Sequence, residues 1–320
     1  MSSVTSWKYL VMTLVVSLFV LMPGVGVAHA EEICGVIPST LIITENSELV
    51  CEVQCTQMTG PCIQFGASHL KLRLNGFKMT GPAAPPLACV PRTPFPPEDG
   101  ISSIGFDRNE ILGPGLVQNF RRHGIFLAGG ERLRVRHVTS HQNCFSGLQM
   151  AGVTDSDIEE NVSVRNASAS GPFPCGGNCI SGSHNNRIRR NEFSGNGAID
   201  PGGPAGQPND FGVGLVGNSS GNVIEENAIG GNINGLLLFP ATTGNLIRRN
   251  VIAGNPPIQI SATFGTPVGV DIRDHSAPGA NTFEENLCLT YEGATVPAPC
   301  PNLPKFAGHH NTSQGSSRNP

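Results

Sequence analysis

The sequence predicts an all-β chain wound as one solenoid of short parallel strands, and three observations carry that reading. An asparagine-bearing frame recurs: Asn186, Ile188, Asn191, Phe193, Asn196; then Asn222, Ile224, Asn227, Ile229, Asn232; then Asn245, Ile247, Asn250, Ile252, Asn255. A glycine-led apolar strand stands upstream of most copies, as in Gly124-Ile125-Phe126-Leu127, Gly147-Leu148-Gln149-Met150, Gly212-Val213-Gly214-Leu215 and Gly235-Leu236-Leu237-Leu238. Charged doublets inside the frame alternate in sign: Glu159-Glu160, Arg189-Arg190, Glu225-Glu226, Arg248-Arg249, Glu284-Glu285.

Within each copy, apolar residues alternate with polar ones at period 2, the pattern of a half-buried strand. The copies recur every roughly 22–25 residues, too short for a propeller blade of ~40–45 and without the leucine consensus of a horseshoe repeat. Looser copies precede them at Leu72/Asn75/Phe77/Thr80, Asn109/Ile111/Leu116/Asn119, Leu133/Arg136/Val138/His141 and Ile158/Asn161/Asn166, and a partial one follows at Asn281/Phe283/Asn286/Cys288. Stacked copies bring Asn75, Asn161, Asn191, Asn227, Asn250 and Asn286 into one column. Each amide can bond the next one a rung away, so these asparagines are structural. The charged doublets then face opposite signs across rungs ~4.8 Å apart, which attracts where like charges would repel.

The ends read differently. Lys8, the apolar run Tyr9–Met22, the Pro23-Gly24 break and the small-x-small site Ala28-His29-Ala30 mark residues 1–30 as a removable secretory signal, with a retained anchor helix as the alternative. All ten cysteines follow it, which fits an exported, disulfide-tied chain with no free thiol. Proximity favours Cys34–Cys51, Cys55–Cys62, Cys175–Cys179 and Cys288–Cys300, leaving Cys89–Cys144. The expected organisation is an N-terminal disulfide-tied cap over 31–62, the solenoid over 63–290, a C-terminal disulfide-tied segment over 291–306 and a disordered polar tail over 307–320. The protein is expected to be secreted, periplasmic or extracellular, and not an integral membrane protein once the signal is removed.

Over about residues 63–290, on its Gly-Ile-x-Leu and Asn-x-Ile-x-x-Asn repeats, the chain resembles the right-handed parallel β-helix superfamily, which includes pectate-lyase-like and NosD-type repeat proteins. The resemblance implies a single-stranded right-handed parallel β-helix of about eight to nine rungs. It is specific for architecture rather than activity, because the family holds polysaccharide lyases, hydrolases, epimerases, adhesins and a copper-delivery accessory protein. None of its catalytic signatures is intact here. Arg187-Ile188-Arg189 is a look-alike that falls inside the structural repeat.

Composition narrows the partners. Charged residues make up only 14% of the chain, against ~25% in ordinary globular proteins. A formal net charge of −4 and a pI near 6.1 lack the basic footprint of a nucleic-acid binder. The single Trp, Trp7, falls in the signal, and Tyr291 is the one Tyr that follows it, which weakens every carbohydrate reading. Copper handling would want clustered His and Met, but after the expected signal the only Met residues are Met58, Met79 and Met150, and the His309-His310 pair sits in the tail, so no metal site is expected.

All long insertions, 81–99, 167–178, 197–211 and 256–268, lie between the last asparagine of a frame and the next glycine strand, which marks a binding face. The first groove between them would carry His123, Asp99 and His141 as catalytic candidates and Arg121, Arg122, Asn143 and Gln149 as substrate-binding ones. Guanidinium forks suit a carboxylate, and His can move a proton, so an extended acidic polysaccharide is the expected partner. A second, alternative groove gathers Asp210, Asp271, Asp274 and His275, where the carboxylates would suit Ca2+ or acid–base work. The expected function is polysaccharide binding or a structural, surface role. The alternatives are a lyase or epimerase on uronate glycans and a periplasmic metal-handling accessory protein. Sequons stand at Asn161, Asn166, Asn218 and Asn311.

Overall fold

The computed structural model describes residues 30–56, 59–83, 97–166, 176–197, 210–255, 270–295 and 297–300. The expected signal, the polar tail with Asn311, the Pro-rich wall with Cys89, and most of the other long insertions lie outside the described residues. The chain divides into two units, Met1–Ala30 and Glu31–Pro320, and the described strands belong to the second. Among the described residues no helix is long and apolar enough to cross a membrane.

Each rung lays down strands on three faces, and every strand pairing is parallel. Face one is a ten-stranded sheet running from Leu41–Ile43 through Ile63–Phe65, Ile101–Ile104, His123–Ala128, Ser146–Ala151, Gly176–Ser181, Phe211–Val216, Leu236–Leu238 and Ile272–Asp274 to Tyr291–Gly293. Face two stacks Asp157–Glu159, Arg187–Arg189, Val223–Glu225, Leu246–Arg248 and Thr282–Glu284. Face three stacks Val162–Val164, Glu192–Ser194, Ala228–Gly230, Val251–Ile252 and Leu287–Cys288. In earlier rungs one strand runs through faces two and three, as in Arg134–His141, where Val138 stands in register with the corner Asn161 of the next rung. The core is built of in-register apolar rows, such as Val135, Ile158, Ile188, Ile224 and Ile247 on face two, all at most 1% exposed.

The corners explain the asparagines. The residue ahead of the second corner is left-handed in rung after rung: Glu160, Arg190, Glu226, Arg249 and Glu285 have φ between 51° and 58°. Such a turn leaves peptide groups that the strand ladders do not satisfy, and left-handed non-glycine residues cost about 1–3 kcal/mol each unless their surroundings hold them. Asparagine supplies what is missing. Asn227 Oδ1 accepts the backbone N–H of Asn191 at 2.9 Å and its amide at 3.0 Å, while Asn227 Nδ2 donates to Ile188 O and Asn250 Oδ1, both at 2.9 Å.

Among the described residues there are three such ladders rather than one. The others run through Asn186, Asn222, Asn245 and Asn281, and through Asn143, Asn166, Asn196, Asn232 and Asn255. Asn75 does not join. It is exposed and donates to Glu48 Oε2 at 3.0 Å and Leu49 O at 3.1 Å, and the strand opposite it carries Gly113 and Pro114 instead of an acceptor amide. The sequon residues Asn161 and Asn166 are buried in ladders, while Asn218 is exposed.

The charged doublets stack in register, with Glu159 facing Arg189, Arg189 facing Glu225, and Glu225 facing Arg248. Contacts within the column group in pairs. Arg189 and Arg190 close on Glu159 and Glu160, and Arg248 and Arg249 close on Glu225 and Glu226 at 2.7 and 3.1 Å. From the other side Glu225 is met by Arg187 at 3.0 Å. A second alternating column stands beside it: Lys71, Glu110, Arg134, Asp157 and Arg187.

Residues 31–62, the expected disulfide-tied cap, pair in parallel with the strands of the winding. Glu31–Ile37 pairs with Ser47–Cys55, and Leu41–Ile43 pairs with Ile63–Phe65. Bonds Cys34–Cys51, Cys55–Cys62 and Cys288–Cys300 tie the ends. Cys144 is also disulfide-bonded, and the partner expected for it, Cys89, lies outside the described residues. The pairing expected between Cys175 and Cys179 is not formed, because Cys179 carries a free, buried thiol. It sits in the extended strand Gly176–Ser181, and the expected partner Cys175 lies outside the described residues. Outside face one Cys179 packs with Phe211 and Leu237, and burial pushes the thiol up to about 12, against a hydrogen bond from Gln149.

Candidate functional site

Glu98-Asp99 and Arg121-Arg122 each stand just before a strand of face one, one rung apart. The rung spacing is fixed by Arg122 N donating to Glu98 O at 3.2 Å and Gly100 N to His123 O at 2.9 Å. Arg122 forks onto Asp99, Nε to Oδ1 at 2.8 Å and Nη2 to Oδ2 at 2.9 Å, and the backbone N–H of His123 adds a bond to Oδ1 at 3.2 Å. Arg121 Nη1 reaches Glu98 at 3.2 Å. Asp99 and Glu98 are 1% and 3% exposed. The two guanidinium groups expected to receive substrate carboxylates are therefore occupied by the protein's own acids.

Burial pushes the Asp99 carboxyl up to about 6, against the pull of Arg122 and the His123 N–H. His123, 5% exposed, is held well below the ordinary imidazole value by burial and by the Arg122 charge. The two groups have opposite linkage. Asp99 keeps its proton to about pH 6 when folded but loses it near 3.8 when unfolded, so its contribution is present below 3.8 and lost as pH rises through about 6. An unfolded histidine takes up a proton below about 6.5 that the buried ring refuses, so His123 weakens the fold in acid. Carboxyl-carbon NMR should therefore show Asp99 titrating near pH 6. A midpoint at the ordinary aspartate value would show that the Arg122 fork fully offsets burial.

The imidazole lies in an aromatic setting that sequence reasoning missed. Its ring stacks on Phe126 at 5.5 Å and 15°, and meets Phe145 edge-on at 5.3 Å and 78°. The Arg122 guanidinium sits 4.5 Å over the Phe126 ring. The available signal was periodicity: Ile125 and Leu127 are buried at 1%, so Phe126 between them projects outward. Ser146 faces His123 in register on the next rung. Ser146 Oγ and His123 Nδ1 are both buried with no hydrogen-bond partner among the described residues. Leaving such groups unpaired costs about 1–3 kcal/mol each, a cost that a ligand hydroxyl at this place would remove.

The other candidates separate. Gln149 faces Phe126 on the neighbouring strand and borders the groove. Asn143 belongs to an asparagine ladder, accepting from Phe120 N at 3.1 Å and donating to Asn166 Oδ1 at 2.9 Å, so it is not free for substrate. His141 lies on face three in register with Gln118 and Val164, around a corner from His123.

Two of the second groove's acids, Asp271 and Asp274, hold the chain's own corners. Asp271 ends a ladder, accepting from Asn255 Nδ2 at 2.9 Å and from Leu289 N and Thr290 N at 2.8 and 3.1 Å. Asp274 accepts from Ser276 N at 3.0 Å and Thr295 Oγ1 at 3.0 Å. His275 is exposed, and the buried Asp210 receives Asn234 Nδ2 on its backbone oxygen at 2.8 Å. The Asp271 and Asp274 carboxylates are spent on the chain's own donors and do not fit a Ca2+ shell. No group of three or more His, Cys, Asp or Glu that could hold a metal occurs among the described residues.

Comparison with known proteins agrees with the winding. The chain is similar in fold to the Dettilon tailspike protein, with a TM-score of 0.57 and 16% identity over 79% of this chain and 54% of that one. It is similar to a variant of the periplasmic alginate epimerase AlgG, with a TM-score of 0.51 and 14% identity over 78% and 62%. A third likeness is to the Agl-KA catalytic domain, with a TM-score of 0.52 and 14% identity over 82% and 48%. The chain thus spans less than two thirds of each of these structures. No curated protein matches the sequence significantly. A family described as a right handed beta helix region matches residues 100–287, more than half of the chain, over the rungs whose corners and registers are set out above. The chain belongs to the right-handed β-helix family.

Proposed function

We propose that this protein binds an extended polysaccharide across face one, over the rungs of His123–Ala128 and Ser146–Ala151. The observation that carries the reading is the pairing of two buried, unpartnered polar atoms, His123 Nδ1 and Ser146 Oγ, with the aromatic faces of Phe126 and Phe145. Hydroxyls for the first and an apolar ring face for the second are what a pyranose presents. A tailspike and an alginate epimerase among the similar folds support a glycan, as fold analogy does. Since Glu98 and Asp99 occupy Arg121 and Arg122, this groove recognises hydroxyls rather than carboxylates, and an acidic chain has no advantage in it. The disulfides support an oxidising compartment, extracellular or periplasmic.

One observation favours a second reading, an enzyme. His123 is held neutral, the state in which an imidazole can take a proton from a sugar carbon, and Asp99 with Arg122 would position it. Calorimetric titration with a panel of neutral and uronate oligosaccharides, scored in parallel for unsaturated products, separates the readings. Phe126→Ala should weaken binding about tenfold, in line with ~1–1.5 kcal/mol for a lost aromatic contact. Joint replacement of His123 and Ser146 by Ala should abolish it. Unchanged affinity in both variants would remove this groove from consideration, and a native protein that binds no glycan would leave the structural, surface role.

A further inference from the structure

Asparagine has two chemical uses in this chain, and they exclude each other. Asn161-Val162-Ser163, Asn166-Ala167-Ser168 and Asn218-Ser219-Ser220 each carry the acceptor pattern for N-linked glycosylation. That reaction joins the amide nitrogen to the anomeric carbon of a sugar. The carbon's bond to a lipid diphosphate breaks, and the displaced amide proton goes to solvent. A modified amide keeps a single N–H and carries a bulky polar ring.

The fold has no place for such a group at two of the three sequons. Asn161 uses its whole amide: Nδ2 donates to Val135 O and Asn191 Oδ1, each at 3.0 Å, and Oδ1 accepts from Val138 N at 2.9 Å. Asn166 Nδ2 stands 3.1 Å from Ser140 O, 3.0 Å from Ser163 Oγ and 3.1 Å from Asn196 Oδ1, while its Oδ1 accepts from Asn143 N at 3.0 Å. The two residues are 8% and 1% exposed. Space is as full as the bonding, since a carbon added to Gly147 would stand 2.8 Å from Asn166 Nδ2. A sugar on either amide removes a ladder bond and needs room inside a coil whose rungs are ~4.8 Å apart.

Asn218 is the opposite case. It is exposed, in the turn that follows strand Phe211–Val216. The neighbouring Ser219 holds that corner, its Oγ 2.9 Å from Ile180 O and 2.7 Å from Val216 O. A sugar on Asn218 therefore costs no ladder bond.

We propose that this protein folds in an oxidising compartment that does not glycosylate sequons, and that where such machinery is present only Asn218, of these three, bears a glycan in the folded protein. The ER lumen and the bacterial periplasm both form disulfides. In the first, sugar is transferred as the chain enters, before the rungs close, so folding cannot shield Asn161 and Asn166. The proposal rests on the oxidising compartment that the disulfides support and is independent of the polysaccharide reading.

The test is production of the full chain through a bacterial periplasm and through a eukaryotic secretory route, the latter with and without an inhibitor of lipid-linked oligosaccharide synthesis. Soluble, cooperatively melting protein is expected from the periplasm. The untreated secretory route should yield at least tenfold less, with glycans mapped by mass spectrometry to Asn161 and Asn166 in the insoluble material, and the inhibitor should restore the yield. Asn218→Gln should change none of these yields. Soluble, cooperatively melting protein with a glycan on Asn161 or Asn166 overturns the proposal, as do equal yields with and without the inhibitor. Thiol titration of the periplasmic product checks the supporting reading separately. Reduced Cys34, Cys51, Cys55 and Cys62 there would overturn the oxidising compartment and leave the exclusion of sugar from the ladder standing.

Discussion

Asn227→Ala is expected to cost about 3–5 kcal/mol, although no ligand would touch the residue. Its side chain makes four ladder bonds, two accepted from Asn191 and two donated, to Ile188 O and Asn250 Oδ1. A typical bond contributes ~1 kcal/mol net, and each buried group left without its partner adds about 1–3 kcal/mol. Asn250 Oδ1 keeps the Asn227 backbone N–H at 3.0 Å, so not all of that is lost. The left-handed Glu226 beside it would also lose the contacts that hold its turn. At roughly 2–4 °C per kcal/mol, the thermal midpoint should fall by ~10 °C. Asn75→Ala serves as the control, since the exposed Asn75 stands outside the ladder and should move the midpoint by little. Equal effects at the two positions would mean that the ladder is not what holds the corners.

Reversing Glu225 and Glu226 together to Arg should be comparably damaging. Glu225 is 3% exposed and is met by Arg187 at 3.0 Å, Arg248 at 2.7 Å and Arg249 at 3.2 Å. Breaking a buried pair by removing one partner costs about 3–5 kcal/mol, because the remaining charges are left uncompensated. Adding Arg248→Glu and Arg249→Glu should recover part of the loss. Absence of any recovery in that cycle would show that these doublets do not face each other. Acid should produce a milder version. Burial works to raise the Glu225 carboxyl, but the Arg248 hydrogen bond and the charges of Arg187, Arg248 and Arg249 outweigh it and hold the group below its ordinary value. Its contribution is therefore present above the unfolded glutamate value and is lost as pH falls through the lower, folded one.

Much of this molecule is written locally. Period-2 apolar residues, a turn every few positions and an asparagine at the corner are properties of a single rung. Their repetition determined the strands and the column of alternating doublets. Two further asparagine ladders were in the same repeat, because Asn186 and Asn196 flank Asn191 in one frame. What lay outside the local code is everything that depends on which side of a corner a residue falls, or on what stands above it. His123 and His141 are close in sequence, yet a corner puts them on faces one and three. Arg122 reads as a free cation until Asp99, 23 residues earlier, is brought beneath it. Cys179 reads as half of a short disulfide, yet on its strand it packs as a free, buried thiol against Phe211 and Leu237. The physical reason is range: backbone propensity and burial pattern act over a few residues, whereas the occupation of a charge or a hydrogen-bonding atom is settled between rungs, by side chains that adjoin only once the coil has closed.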